Sequence, residues 1–142
     1  MLAILLTAVV TQLMIQTSGY RLPGNVRPTS YDVKLVTNVE PDFTYNGVVS
    51  IDVTVDENTN DIVLHSNNLK NLDVTVKQTN VIGTTFHESN DDKHFLTITP
   101  NTLGESFAPG DYNIEIKFSG ELTDDMYGFY KSSYVTPSND VK

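Results

Sequence analysis

The sequence predicts an all-β fold, an antiparallel β-sandwich, and three observations carry that expectation. From residue 31 onward apolar residues recur with a period of two, which is the pattern of strands with one buried face, most often found in antiparallel sheets. Clusters of turn-forming residues interrupt these runs at intervals of about 8–15 residues, as between the short strands of a sandwich. No window shows the 3.6-residue spacing of an amphipathic helix.

The strands follow in chain order. Tyr31, Val33 and Leu35 alternate with Asp32 and Lys34, and Val49, Ile51, Val53 and Val55 with Ser50, Asp52 and Thr54. Leu72, Val74 and Val76 alternate with Asp73, Thr75 and Lys77, and Tyr112, Ile114, Ile116 and Phe118 with Asn113, Glu115 and Lys117. Shorter candidates lie at Ile62–His65, Val81–His87 and His94–Ile98. Strand ends are expected at Asn46-Gly47, Glu57–Asp61, Asn67-Asn68, Ser89–Asp92 and Pro109-Gly110-Asp111, where turn residues gather. Ser89–Asp92, between two strand candidates, reads as a hairpin loop.

The chain has 142 residues, no cysteine and a formal net charge of −9. The length suits one domain. The missing cysteines exclude a disulfide scaffold, a thiolate zinc site and a cysteine nucleophile. The acidity argues against a basic surface for nucleic acid or anionic membrane, since phosphate binding runs through Lys and Arg. Residues 2–15 hold eleven apolar residues and no charge, a run too short for a bilayer span of about 20 residues. They end in small residues, Thr17 and Gly19, at the −3 and −1 positions of a cleavage site. Residues 1–19 are therefore expected to be a secretory signal peptide. Residues 20–134 then form the domain, and 135–142 read as an interrupted loop.

Candidate chemistry is sparse. His65, His87 and His94 carry the ligand type of zinc, and His87 and His94 flank the expected hairpin loop. His65 is remote from both, so a surface or core role is expected for each. Asp56-x-Asn58-x-Asn60 resembles the start of a calcium loop, but Asp61 stands where the sharp turn needs Gly, and Asn67 where the loop closes on Glu. Asp91/Asp92 and Asp124/Asp125 are adjacent pairs whose side chains point apart, unlike a general acid/base couple converging on one cleft. Residues Tyr127 to Tyr134 form the densest aromatic cluster. It is read as an aromatic strand capping the sandwich, with Gly128 at a bulge or close backbone approach. Calcium or carbohydrate binding through these last features is a minor reading. No catalytic, cofactor-binding or metal residue is assigned.

Four stretches carry a family resemblance. Tyr20-Arg21-Leu22-Pro23 with Pro28-Thr29-Ser30-Tyr31-Asp32-Val33-Lys34-Leu35 is similar to the opening strand of the zinc aminopeptidase N family. Phe43-x-x-x-Gly47 with Val49-x-Ile51-x-Val53 resembles the next strand. Ile62-Val63-Leu64-His65-Ser66-x-x-Leu69 resembles a motif in which a His closes a strand. Gly120-Glu121-Leu122 followed by Gly128-Phe129-Tyr130-Lys131-Ser132-Ser133-Tyr134 resembles the end of the same domain. Insect midgut-type enzymes are the nearest in pattern. The resemblance implies a saddle-shaped N-terminal β-sandwich beside a thermolysin-like catalytic domain. In that family the zinc-binding His-Glu-x-x-His, the Gly-Ala-Met-Glu-Asn loop and a substrate-pocket Gln all come later than the positions matched here. The resemblance thus implies a non-catalytic domain of a secreted or surface-anchored aminopeptidase, forming scaffold and cleft wall. Its partner would be the downstream catalytic domain, with peptide substrate met indirectly. No cofactor is expected in this chain, zinc belonging to the parent enzyme, and neither nucleic-acid binding nor membrane insertion of the mature domain is expected. A stand-alone secreted β-sandwich that binds a partner and has lost catalysis is the alternative.

Overall fold

The computed structural model describes residues 19–89, 91–125 and 128–137. The expected leader falls outside these residues except for Gly19, as do Tyr127 of the aromatic cluster and residues 138–142 of the expected tail. The described residues contain eight strands and no helix. They are β1 (Val26–Asn38), β2 (Thr44–Val55), β3 (Ile62–His65), β4 (Lys70–Lys77), β5 (Val81–Ile82), β6 (Thr84–Glu88), β7 (Phe95–Pro100) and β8 (Gly110–Glu121).

Two antiparallel sheets result, one in the order β1-β2-β8-β4-β5 and one in the order β3-β7-β6. Period two turns into packing directly, because alternate side chains leave opposite faces of a strand. Ile51 lies opposite Ile114 and Val49 opposite Ile116 across the β2–β8 ladder, and Val76 lies opposite Ile114 on the other side. These inward rows meet Ile62, Leu96 and Ile98 of the smaller sheet in one core, closed at one end by Phe107 and Tyr112. Their rings meet edge to face at 5.8 Å. The outward rows are polar: Asn113 donates to Ser50 and Asp52, and the Ser30 hydroxyl donates to Asp52 at 2.6 Å. The hydroxyl and amide donors hold the Asp52 carboxyl below the usual aspartate range.

Four expectations are corrected. Asn46-Gly47 does not end a strand; β2 runs through it. Gly47 is there because the Phe118 ring lies flush on its backbone, so that a Cβ would overlap the ring and come within 2.8 Å of Leu35. Gly120 bears the Tyr45 ring in the same way. Val81–His87 is not one strand but two, β5 in the large sheet and β6 in the small one, with the chain turning at Gly83. The Gly83 carbonyl accepts the Asn101 N–H at 2.8 Å and anchors that corner. The aromatic cluster is not a strand: residues 128–134 are irregular. Gly128 has φ +64° with open space around it, so backbone conformation rather than close approach calls for glycine. Finally, β1 alternates as expected, yet its apolar row is not buried: Tyr31 is 60% and Val33 54% exposed. The roof sheet has strands of four to six residues, and its buried residues gather over β2, β8 and β4 rather than over β1.

Candidate functional site

Unusual backbone gathers at one end of the large sheet. Phe43 (φ 49°), Asn68 (φ 57°) and Asn71 (φ 53°) adopt left-handed conformations, joined there by Gly128. Asn reaches this region easily because its short side chain can hydrogen-bond locally. For a residue as bulky as Phe it is an outlier, and such outliers concentrate at functional sites. Phe43 is held by its carbonyl, which accepts the Leu122 N–H at 2.7 Å, and by the Lys131 ammonium, 4.8 Å from its ring centroid. Leu122 is buried and fixes the chain as it leaves β8.

An aromatic stack is built on that anchor. Tyr45 meets Phe118 at 6.3 Å and Phe129 at 5.4 Å, both edge to face. The Lys131 N–H donates to the Thr123 carbonyl at 2.9 Å, folding the 128–131 segment back over the sheet end. Tyr45, Asn67, Asn68, Glu121, Thr123 and Phe129 line a cleft of about 340 Å³. Glu121 receives the Lys70 ammonium at 2.5 Å, and this bond with its charge holds the carboxyl below its ordinary range. Thr123 donates to Asp125 at 2.8 Å. The cleft therefore offers an aromatic wall, two asparagine amides and two carboxylates, Glu121 bonded to Lys70 and Asp125 to Thr123. That arrangement offers a surface for ring stacking and hydrogen bonding. Beside it a second, more apolar cleft of about 310 Å³ opens between the sheets, lined in part by Tyr31, Val49, Leu72 and Phe118.

The sequence candidates fall elsewhere. His65 is exposed at the end of β3, with Nε2 2.9 Å from the Tyr20 carbonyl oxygen and Nδ1 3.2 Å from that of Lys93. Its ring lies 5.1 Å from Phe95. His87 pairs in register with Thr97, and His94 sits before β7 with φ 54°. Among the described residues no three His, Cys, Asp or Glu side chains gather as a metal site requires, so these residues do not fit a zinc ion. Asp56 of the calcium-like stretch takes a bidentate pair of bonds from Arg27, both 2.7 Å, and that stretch is pinned by the Thr59–Phe107 bridge. Asp92 accepts the Tyr20 hydroxyl at 2.6 Å while Asp91 turns to Lys93, so the two carboxylates part as expected.

In the sequence Phe43 stands out only within the family resemblance and Tyr45 is not singled out, so the site role of both went unread. The Asn67-Asn68 dipeptide was the one local signal, since Asn marks left-handed positions; nothing in the residue type marks Phe43.

A family model described as the Peptidase M1 N-terminal domain matches residues 27–142. Aminopeptidase 2 of Candida albicans is 34% identical over 116 residues, which is 80% of this chain and 12% of that protein. Puromycin-sensitive aminopeptidase of Caenorhabditis elegans is 35% identical over 115 residues, again 80% and 12%. Membrane alanyl aminopeptidase of Heliothis virescens is 30% identical over 122 residues, 82% and 12%. The chain thus spans about an eighth of the length of these relatives. With eight antiparallel strands in two sheets and a match over most of its length, the chain belongs to the family of peptidase M1 N-terminal domains.

Proposed function

We propose that this chain serves as the N-terminal, non-catalytic domain of a secreted or membrane-anchored zinc aminopeptidase that removes N-terminal residues from peptides. It acts as scaffold and as part of the substrate-cleft wall. The observation that carries this reading is the family match over residues 27–142 in a chain that corresponds to 12% of its aminopeptidase relatives. The uncovered apolar row of β1 supports it, because a self-sufficient module covers such a face with its own chain or with polar residues. The strained Phe43 and the Tyr45–Phe129 stack support the cleft-wall role, since a wall must hold its shape before substrate arrives. Residues 1–19 act as a signal peptide in this reading, and the following segment begins the domain.

The transcript downstream of the Lys142 codon tests the proposal. The expected result is an open frame that continues into a His-Glu-x-x-His motif. An in-frame stop in the mature transcript would overturn the reading in favour of a stand-alone module. The purified 142-residue chain is expected to leave an amino-acid p-nitroanilide uncleaved, with or without added zinc; chelator-sensitive cleavage would contradict a scaffold role.

A further inference from the structure

β1 ends the large sheet, and among the described residues no strand pairs with its outer edge. The direction of its free main-chain groups follows from two bonds. The Asp56 N–H donates to the Asn25 carbonyl, which turns even-numbered residues of β2 toward β1. The Leu122 N–H donates to the Phe43 carbonyl, which turns odd-numbered ones toward β8. Through the register Asp32↔Ser50 and Lys34↔Val48, the main-chain groups of Asp32 and Lys34 face β2. Those of Tyr31, Val33 and Leu35 face outward, away from the sheet. Pro28 and the register irregularity between Pro28 and Ser30 blunt one end of this edge. Beyond Ser30 it is open.

We propose that this edge binds a second copy of the chain, antiparallel and centred on Val33, so that the large sheet runs continuously through both copies. The two edge strands then exchange main-chain hydrogen bonds at Val33 and at Tyr31 opposite Leu35. A two-fold axis makes each contact occur twice. On the apolar face Val33 meets Val33, and Tyr31 meets Leu35 on both sides of the axis. On the polar face Asp32 stands opposite Lys34, also twice. Neither side chain makes an ion pair among the described residues. The neighbouring registers that keep the same main-chain groups paired are worse: one sets Asp32 against Asp32, the other Lys34 against Lys34. A shift by one residue turns the apolar rows to opposite faces. Opposite charges directly across an antiparallel pair stabilise it and like charges destabilise it, so the sequence of β1 selects one register for self-pairing.

Sedimentation velocity of the full chain, over about a hundredfold range of concentration at near-physiological salt where repulsion between acidic copies is screened within roughly 8 Å, reads the association. The expected result is a concentration-dependent dimer. Lys34→Asp places carboxylates opposite one another at both symmetric positions and should weaken dimerisation about tenfold or more; Asp32→Lys should do the same with two ammonium groups. The double variant Asp32→Lys/Lys34→Asp re-forms both pairs and should return the affinity to within about threefold of the parent. Val33→Pro removes an outward N–H at the axis, which an edge strand tolerates, and should leave the chain monomeric. A chain that stays monomeric throughout the range, a dimer indifferent to the single reversals, or a double variant no better than either single one would each overturn the proposal. Because Asp32 and Lys34 are exposed, the charge variants keep the test decisive even where Val33→Pro fails to fold.

Discussion

The middle of the molecule and its β1 edge are written in the same pattern and end up in opposite environments. Ile114 in β8 and Val33 in β1 both belong to an alternating apolar row on the same face of the same sheet. Ile114 is fully buried, while Val33 is 54% exposed. The difference lies in the roof: β3, β7 and β6 reach over β2, β8 and β4, and their apolar residues join a core in which β1 takes part only through Val26. Alternation records which face of a strand is apolar. Whether that face is covered depends on an element elsewhere in the chain or outside it.

The largest test of that contrast is Ile114→Ala. Removing a fully buried branched side chain should cost about 2–5 kcal/mol, read by chemical denaturation, and a loss below about 1 kcal/mol would mean that the centre is no better packed than the edge. Gly47→Ala comes next. Its Cβ enters the space of the Phe118 ring, and forced repacking should cost about 1–3 kcal/mol; a neutral result would show that the ring moves freely at the open end.

Acid titration should show a smaller effect, with its direction fixed by the polar outer face. Asp52 and Asp56 titrate below their ordinary range, Asp52 through the Ser30 and Asn113 bonds and Asp56 through the Arg27 bonds. Each folded value lies below the unfolded one, near 3.9, so their stabilisation is complete above that value and is lost as pH falls through the folded one. Unfolding followed at decreasing pH should show a decline that Asp52→Asn makes shallower. An unchanged acid limb would disconnect these bonds from stability. Smallest of all, Val33→Thr at low protein concentration should shift stability by no more than about 0.5 kcal/mol and reduce binding of a hydrophobic dye. A cost near that of Ile114→Ala would break the contrast itself.

The strands were legible because period two is a direct imprint of the pleat: Val49 to Val55 and Tyr112 to Phe118 announce themselves, and the Ser89–Asp92 hairpin follows from its turn residues. Other features left little trace. A single glycine, Gly83, separates two sheets inside what reads as one run from Val81 to His87. Gly47 looks like a turn residue beside Asn46, yet it serves as the floor beneath a ring, a relation set by Phe118 more than seventy positions away. Phe43, left-handed in backbone, is contacted by Leu122 and Lys131 from far along the chain, and its residue type does not mark that conformation. The family resemblance supplied the identity of the domain; of the site at its open end, only the Asn67-Asn68 dipeptide left a local trace.

The position of β8 has a consequence for how this chain is made. It lies between β2 and β4, yet among the described residues it is the last strand in chain order. Until residue 121 has emerged from the ribosome, the β1–β2 hairpin and β4 have no common neighbour, and each waits with an unpaired edge. Pairings so distant in sequence form slowly and leave apolar strands open to wrong partners in the meantime. A chain stalled before β8 would therefore leave the inner edges of β2 and β4 open to wrong partners.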